Sequence, residues 1–254
     1  MERRLAGIDR RLMGTPRTRL RLVLLQIRDV RVSLLQEQSC FIERCRVARR
    51  QFAFINLVDA PQIRWHHVAD AHAVLIGGAG SYSVTHHHPF TDPLTDLVER
   101  LIEAGRPVFG SCWGHQFLAE VFGGKVIEDQ ARAEVGTFPI RLTAAGVADP
   151  LFDGLPEQFP VQLGHNDRVS EIGPIWQELA VSDLCPFQVI RYRDRPVYGT
   201  QFHSELDEVR LRDRLDMYRQ SYAADDTTYE EIVRTLRPTV VADGIMARFL
   251  EVYA

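Results

Sequence analysis

A chain of 254 residues, 45% hydrophobic and 25% charged, has an ordinary globular balance and is long enough for one sizeable core. Its formal net charge of −4 gives no electrostatic case for nucleic acid or an anionic membrane as partner. Nowhere do about 18 uncharged apolar residues run together, so no membrane span is expected.

Charge is uneven at the start, where Met1–Arg21 carries seven Arg against Glu2 and Asp9. The expectation is a basic, loosely ordered extension over residues 1–19 or an over-called start codon, with a transit peptide as the alternative. Residues 20–254 then form a single domain, since no Gly/Ser or Pro linker divides them. Leu22–Ile27 reads as a buried strand and Ser33–Gln51 as a helix, with Leu34, Leu35, Phe41, Ile42 and Val47 at helical spacing. Phe52–Val58 and Ala73–Ile76 are further strands, the latter running into Gly77-Gly78. Asp92–Ala104 is an amphipathic helix stopped by Gly105. Pro107–Gly110 is a fourth strand, followed by a helix that ends at Gly123-Gly124.

From Lys125 to His203 the pattern shifts to short strands joined by turns: Lys125–Glu128, Gly136–Leu142, Pro160–Leu163, Glu178–Val181, Gln188–Tyr192 and Val197–Phe202. This half is more antiparallel in character. Helices return at Leu206–Tyr222, Tyr229–Leu236 and Ala242–Val252. Strand–helix alternation with continuous apolar strands predicts an α/β fold: an open, mixed, mainly parallel sheet with helices on both faces.

Cys40, Cys45, Cys112 and Cys185 are too few and too scattered for a disulfide framework. Free thiols suit a reducing compartment, and a cytoplasmic location is expected. Gly110-Ser111-Cys112-Trp113-Gly114, between an apolar strand and a helix, has the nucleophile-elbow pattern with cysteine in the serine position. Glycines two positions either side are required if a side chain there would strike neighbouring backbone. The following helix would bring its N-terminal dipole to the sulfur. Taken alone, the pentapeptide is equally a buried cysteine beside a tight turn.

A nucleophile needs a base and the base an orienter. His203 in Gln201-Phe202-His203-Ser204-Glu205 is the candidate base. Alternation puts Glu205 on its side if the strand continues. Gly77-Gly78-Ala79-Gly80-Ser81 lets backbone N–H groups approach a substrate, so Gly78 and Trp113 are the candidate oxyanion donors. A phosphate loop is disfavoured, because neither G-x-x-x-x-G-K-[ST] nor G-x-G-x-x-G is present. His86-His87-His88 reads as a solvated loop or a specificity contact rather than a metal site.

These motifs together resemble the class I (triad) glutamine amidotransferases, whose glutaminase domain occurs in GMP synthase, carbamoyl-phosphate synthetase and anthranilate synthase. The match comprises Ile76–Gly80, Gly110 to Gln116, Gly123-Gly124, Glu134-Val135-Gly136, His165 to Val169 and Gly199 to Glu205, in family order. The resemblance implies a flavodoxin-like, seven-stranded mixed open sheet. It implies Cys112 as nucleophile, His203 as general base and acid, Glu205 as its partner, and oxyanion N–H groups from Gly78 and Trp113. Gln116, Glu134 and Gly136 would hold the amino-acid end of glutamine, and no cofactor or metal is implied. Ser204 stands where the family usually has proline. No Ser-Gly-Gly-x-Asp-Ser loop for ATP is present. The expected activity is therefore that of a stand-alone amidase releasing ammonia from glutamine, with a separate synthetase subunit as possible partner. The alternatives are a γ-glutamyl peptidase or hydrolase and a non-enzymatic relative.

Overall fold

The first strand, β1 (Leu22–Ile27), is buried along its whole length and apolar but for Gln26, because both its faces are covered. Leu22 and Leu24 pack with Phe41, Phe109 and Phe249, whereas Val23, Leu25 and Ile27 pack with Leu94, Leu97, Val98 and Phe117. The computed structural model that shows this describes residues 15–223 and 225–254. Around β1 lie β2 (Phe52–Asn56), β3 (Ala73–Ala79), β4 (Val108–Ser111) and β11 (Val197–Thr200), in the order β2-β1-β3-β4-β11, all parallel. Beyond β11 the sheet continues antiparallel through β10 (Val189–Tyr192), β9 (Trp176–Val181), β6 (Glu134–Leu142) and β7 (Gln158–His165). Among the described residues, β10 and β6 alone of the strands in this sheet run against the parallel block. The sheet is thus mixed, with most strands pointing one way, as the sequence pattern predicts. Among the described residues it has nine strands rather than the seven that the resemblance implies. A separate ribbon pairs β5 (Lys125–Glu128) with β8 (Asp167–Glu171).

Helices cover both faces. The core that holds Leu22 and Leu24 takes α1 (Arg31–Arg44) and α8 (Ile245–Tyr253); the opposite core takes α2 (Thr91–Glu103) and α3 (Trp113–Val121). The short α4 (Ala144–Val147) lies against β9. Leu211 and Leu215 of α5 (Glu208–Met217) pack on Cys40 and Leu206, joined by Tyr222 of α6 (Arg219–Tyr222) and Ile232 of α7 (Asp226–Thr235).

Several expected boundaries move, each for a local reason. The helix predicted to reach Gln51 ends at Arg44, because Arg46 adopts φ 53°, a left-handed stop that no glycine announces. The one predicted over Leu206–Tyr222 breaks at Tyr218 (φ −119°) into α5 and α6. Strand β3 continues through the glycines to Ala79, while β11 stops at Thr200, short of Phe202. Of the expected loose segment 1–19, residues 1–14 lie outside the described residues. Thr15 to Arg19 are docked: Thr15 N–H donates to the Ala254 carbonyl, and the Arg17 guanidinium reaches the Cys45 and Ala247 carbonyls and Glu251.

Candidate active site

The carboxyl ends of β1, β3, β4 and β11 deliver Arg28, Gly78, Cys112 and His203 to one place, the edge where open α/β sheets gather their ligand loops. Cys112 is the turn residue between β4 and α3, at φ 49°, ψ −98°. For a residue with a side chain this is a strained conformation, held because the surroundings over-determine it. The Cys112 N–H donates to the Thr200 carbonyl at 2.8 Å, and its own carbonyl accepts from the Gln116 N–H at 3.0 Å. The flanking glycines meet the expected steric requirement. A Cβ at Gly110 would lie 2.5 Å from the Gly114 carbonyl carbon, and one at Gly114 would lie 2.5 Å from the Ile76 carbonyl oxygen.

His203 and Glu205 are brought together, but not by a continuing strand. The chain bends after Thr200, and the turn at Ser204-Glu205 folds the carboxylate back, so that His203 Nδ1 and Glu205 Oε1 are 2.6 Å apart. Ser204 is buried in this turn and its hydroxyl has no hydrogen-bond partner. The other carboxylate oxygen accepts from Ser111 Oγ at 2.8 Å. Cys112, His203 and Glu205 are 7%, 5% and 0% exposed. Burial alone would favour neutral imidazole, but Glu205, together with the Cys112 thiol, outweighs it and pushes His203 up to about 10. Burial likewise opposes the charge on Glu205, and His203 and Ser111 overcome it, holding the carboxyl below its ordinary range.

Gly78 sits behind this pair. A Cβ there would fall 3.1 Å from His203 Cε1 and 3.7 Å from Cys112 Cβ. The pairing of β3 with β4 stops at Ile76, and its register with β1 slips before Ala79, so the peptide at Gly77-Gly78 lies in an irregular stretch of ladder. An ion pair that sequence reading missed packs beneath it: Arg28 Nη2 meets Glu37 Oε1 at 2.7 Å, the two side chains being 1% and 0% exposed. Glu37 also accepts from Gln26 Nε2 at 2.9 Å. Charges nine positions apart in a sequence look solvated, and no local signal marks this pair.

A cavity of about 250 Å³ opens over Cys112 and Trp113, walled by Gly80–Ser83, by Gly164–Asp167 and by Tyr222. Gln116 lines it, donating from Nε2 to the Asp167 carbonyl at 2.7 Å and to Gln201 Oε1 at 3.1 Å. Asp167 in turn accepts from Ser83 Oγ at 2.5 Å; burial, only partly opposed by that bond, raises its carboxyl above the ordinary range. The other two expected glutamine contacts lie outside this lining. Glu134 is engaged behind the wall by His165 and Gln188, and Gly136 (φ 124°) faces Thr235 of α7. Their place in the sequence beside the family motif does not bring them to the cavity, because the antiparallel pleat of β6 turns them elsewhere. Tyr222, from a helix that no motif places here, donates to the Gly164 carbonyl at 3.3 Å and closes the wall. His86 and His87 are exposed, and His88 lies 2.8 Å from the Ser83 carbonyl through Nε2, fixing the adjoining loop.

Comparison with known proteins gives a consistent result. The model of the family "Glutamine amidotransferase class-I" matches residues 42–214. A glutamine-hydrolysing GMP synthase subunit from Pyrococcus abyssi is 36% identical over 110 residues, covering 43% of this chain and 56% of that one. The corresponding subunit from Methanopyrus kandleri is 37% identical over 100 residues, 39% of this chain and 52% of that one. The chain thus spans about half the length of these relatives, and a smaller share of the longer GMP synthases, 28% for that of Thermosipho africanus. A glutamine amidotransferase from Thermotoga maritima superposes with a TM-score of 0.72 at 19% identity, covering 91% of this chain and 96% of that one. One from Methylobacillus flagellatus gives 0.69 at 16% identity, over 92% and 95%.

Proposed function

The chain belongs to the class I glutamine amidotransferase family, and on that premise we propose that it hydrolyses the side-chain amide of glutamine through a thioester on Cys112. The observation that carries this reading is the strained cysteine at the mouth of a cavity, backed by a buried imidazole that a carboxylate grips at 2.6 Å. His203, raised toward imidazolium, already holds the proton taken from the Cys112 thiol, and the thiolate sulfur attacks the carboxamide carbon. Negative charge develops on the carbonyl oxygen beside the N–H groups of Gly78 and Trp113, the latter at the open first turn of α3. The C–N bond breaks as His203 returns its proton to nitrogen, and ammonia leaves. Water, losing a proton to His203, then attacks the thioester. The C–S bond breaks, glutamate departs and the thiol is restored. Glu205 keeps the imidazole in the productive orientation throughout.

A separate synthetase subunit is the proposed recipient of the ammonia, supported by the resemblance to proteins named as glutamine-hydrolysing subunits of GMP synthase. The four free, buried cysteines fit the reducing cytoplasm, where we place the activity. Among the described residues no helix is long and apolar enough to cross a membrane.

The test is to supply the purified chain with glutamine and a panel of γ-glutamyl compounds, and then with an electrophilic glutamine analogue. Ammonia from glutamine and a mass shift confined to the Cys112 peptide are expected. Release of an amino acid from a γ-glutamyl peptide, with glutamine untouched, would assign the site to γ-glutamyl hydrolysis. A full rate in Cys112→Ala would remove the nucleophile.

A further inference from the structure

Behind the cavity wall, Glu134 on β6 stands opposite His165 on β7 in the strand register, and Cys185 reaches them from the turn between β9 and β10. All three are buried, and their ligating atoms lie within 4.8 Å of one another. His165 Nδ1 is 3.0 Å from the Asp167 carbonyl oxygen, and Nε2 is 3.2 Å from Glu134 Oε2. Each ring nitrogen therefore faces an acceptor, whereas a neutral imidazole has one N–H to give. If it goes to the Asp167 carbonyl, the Nε2 lone pair faces the Glu134 carboxylate oxygen at 3.2 Å, a repulsion that a shared cation would relieve.

A second feature points to the same place. The fully buried Gln188 donates from Nε2 to Glu134 Oε2 at 2.7 Å, yet its Oε1 has no hydrogen-bond partner. The two ends of an amide are nearly the same shape, and turning this one over would present an oxygen to the same point.

We propose that Glu134, His165 and Cys185 form a buried site for a divalent transition metal, Zn²⁺ being the best match, with Gln188 Oε1 as fourth donor. Thiolate, imidazole and carboxylate together suit Zn²⁺ and exclude the oxygen-seeking Mg²⁺ and Ca²⁺. The 3.2 Å between His165 Nε2 and Glu134 Oε2 matches the edge of about 3.3 Å expected for a tetrahedron with Zn–N and Zn–O bonds near 2.0–2.1 Å. The cysteine sulfur, which donates to the Arg132 carbonyl at 3.4 Å, has to close in by up to about 1 Å, and its proton passes to water as the metal is taken up during folding, before the cluster closes. The His165 Nδ1–H to carbonyl bond is the orienting contact that ligating histidines commonly make. That same Asp167 carbonyl holds Gln116, so the metal would brace the wall formed by Gly164–Asp167. The site does not depend on the amidase assignment.

Because the cluster is closed to solvent, the test unfolds the unaltered protein and refolds it with Co²⁺. Tetrahedral ligand-field bands and a sulfur-to-cobalt charge-transfer band are expected, with X-ray absorption showing a single sulfur neighbour. The charge-transfer band should vanish in Cys185→Ala and persist in Cys112→Ala and Cys40→Ala. Native circular dichroism without the bands in the refolded unaltered protein would overturn the site. So would a band lost with Cys112 and kept without Cys185.

Discussion

Ser111, the residue before the proposed nucleophile Cys112, donates a 2.8 Å hydrogen bond to Glu205, whose other carboxylate oxygen meets His203. The elbow and the histidine turn are thereby fastened to each other at a fully buried carboxylate, so strand β4 sets the position of the imidazole as well as that of the sulfur. Ser111→Ala removes a bond to a charged group, worth about 1.5–3 kcal/mol. If the loss falls on the transition state, kcat for glutamine hydrolysis drops about ten- to hundredfold with KM little changed. Steady-state ammonia release measures it, and an unchanged kcat would show that Glu205 needs no second anchor.

The pH dependence of stability follows from the same carboxylate. His203 is pushed up to about 10 against its burial, by Glu205 and then Cys112. Its contribution is therefore fully present below the ordinary histidine value and is lost as pH rises through about 10. Glu205, held below its usual range against burial by His203 and Ser111, contributes above the ordinary carboxylate value and is lost as pH falls through its lowered one. In Glu205→Gln, burial acts on His203 without that opposition, and the alkaline loss should disappear. Urea midpoints from neutral pH to above pH 10, unaltered chain against variant, check the sign.

The glycines of the elbow are fixed by backbone, which cannot yield as a side-chain tip can. A methyl at Gly110 or Gly114 would meet main-chain atoms at 2.5 Å. Gly110→Ala should cost about 1–3 kcal/mol or more through overpacking, with activity falling further than stability because the strained Cys112 is displaced. Denaturant melts alongside labelling of Cys112 by an electrophilic glutamine analogue separate the two effects.

These glycines were legible in the sequence because one short turn dictates them, and the central strands because apolar runs such as Leu22–Leu25 fit a sheet covered on both faces. Cys112, His203 and Glu205 were legible as residue types in a familiar order. The route between the last two was not: extended alternation predicts their meeting, and a turn produces it. What escaped sequence reading depends on distance along the chain. Ser111 and Glu205 are 94 positions apart, and Tyr222 reaches Gly164 across 58. No periodicity encodes such contacts; they follow from which strands become neighbours. Glu134 and Gly136, expected at the cavity, lie outside its lining for a related reason, since a motif gives position along a strand but not what its pleat faces.

The buried Arg28–Glu37 pair should be one of the most sensitive positions outside the proposed triad. Glu37→Gln leaves a guanidinium that is 1% exposed without its anion. Breaking a buried pair from one side costs about 3–5 kcal/mol, whereas replacing both partners with apolar residues of similar size is often neutral. The double variant Arg28→Met, Glu37→Leu should therefore regain most of the stability lost in Glu37→Gln. Chemical denaturation of both variants and of Arg28→Met completes the cycle, and additive losses would show that the pair is not coupled.

Tyr218 and Gly80 define how the C-terminal helices seat over the cavity. The Tyr218 ring lies where a Cβ on Gly80 would be, and its hydroxyl is 2.8 Å from Ser33 Oγ on α1. Gly80→Ala has to push the ring aside, and with it α6, whose last residue Tyr222 closes the wall above Cys112. The triad lies on other elements and keeps its bonds. The expected result is a KM for glutamine raised several-fold with kcat reduced less, the pattern of lost ground-state binding. Replacing Tyr218 by leucine in the Gly80→Ala background makes room for the methyl and should restore part of the KM. If kcat falls and KM does not move, the glycine serves the reacting centre itself and Tyr218 has no part in seating the wall.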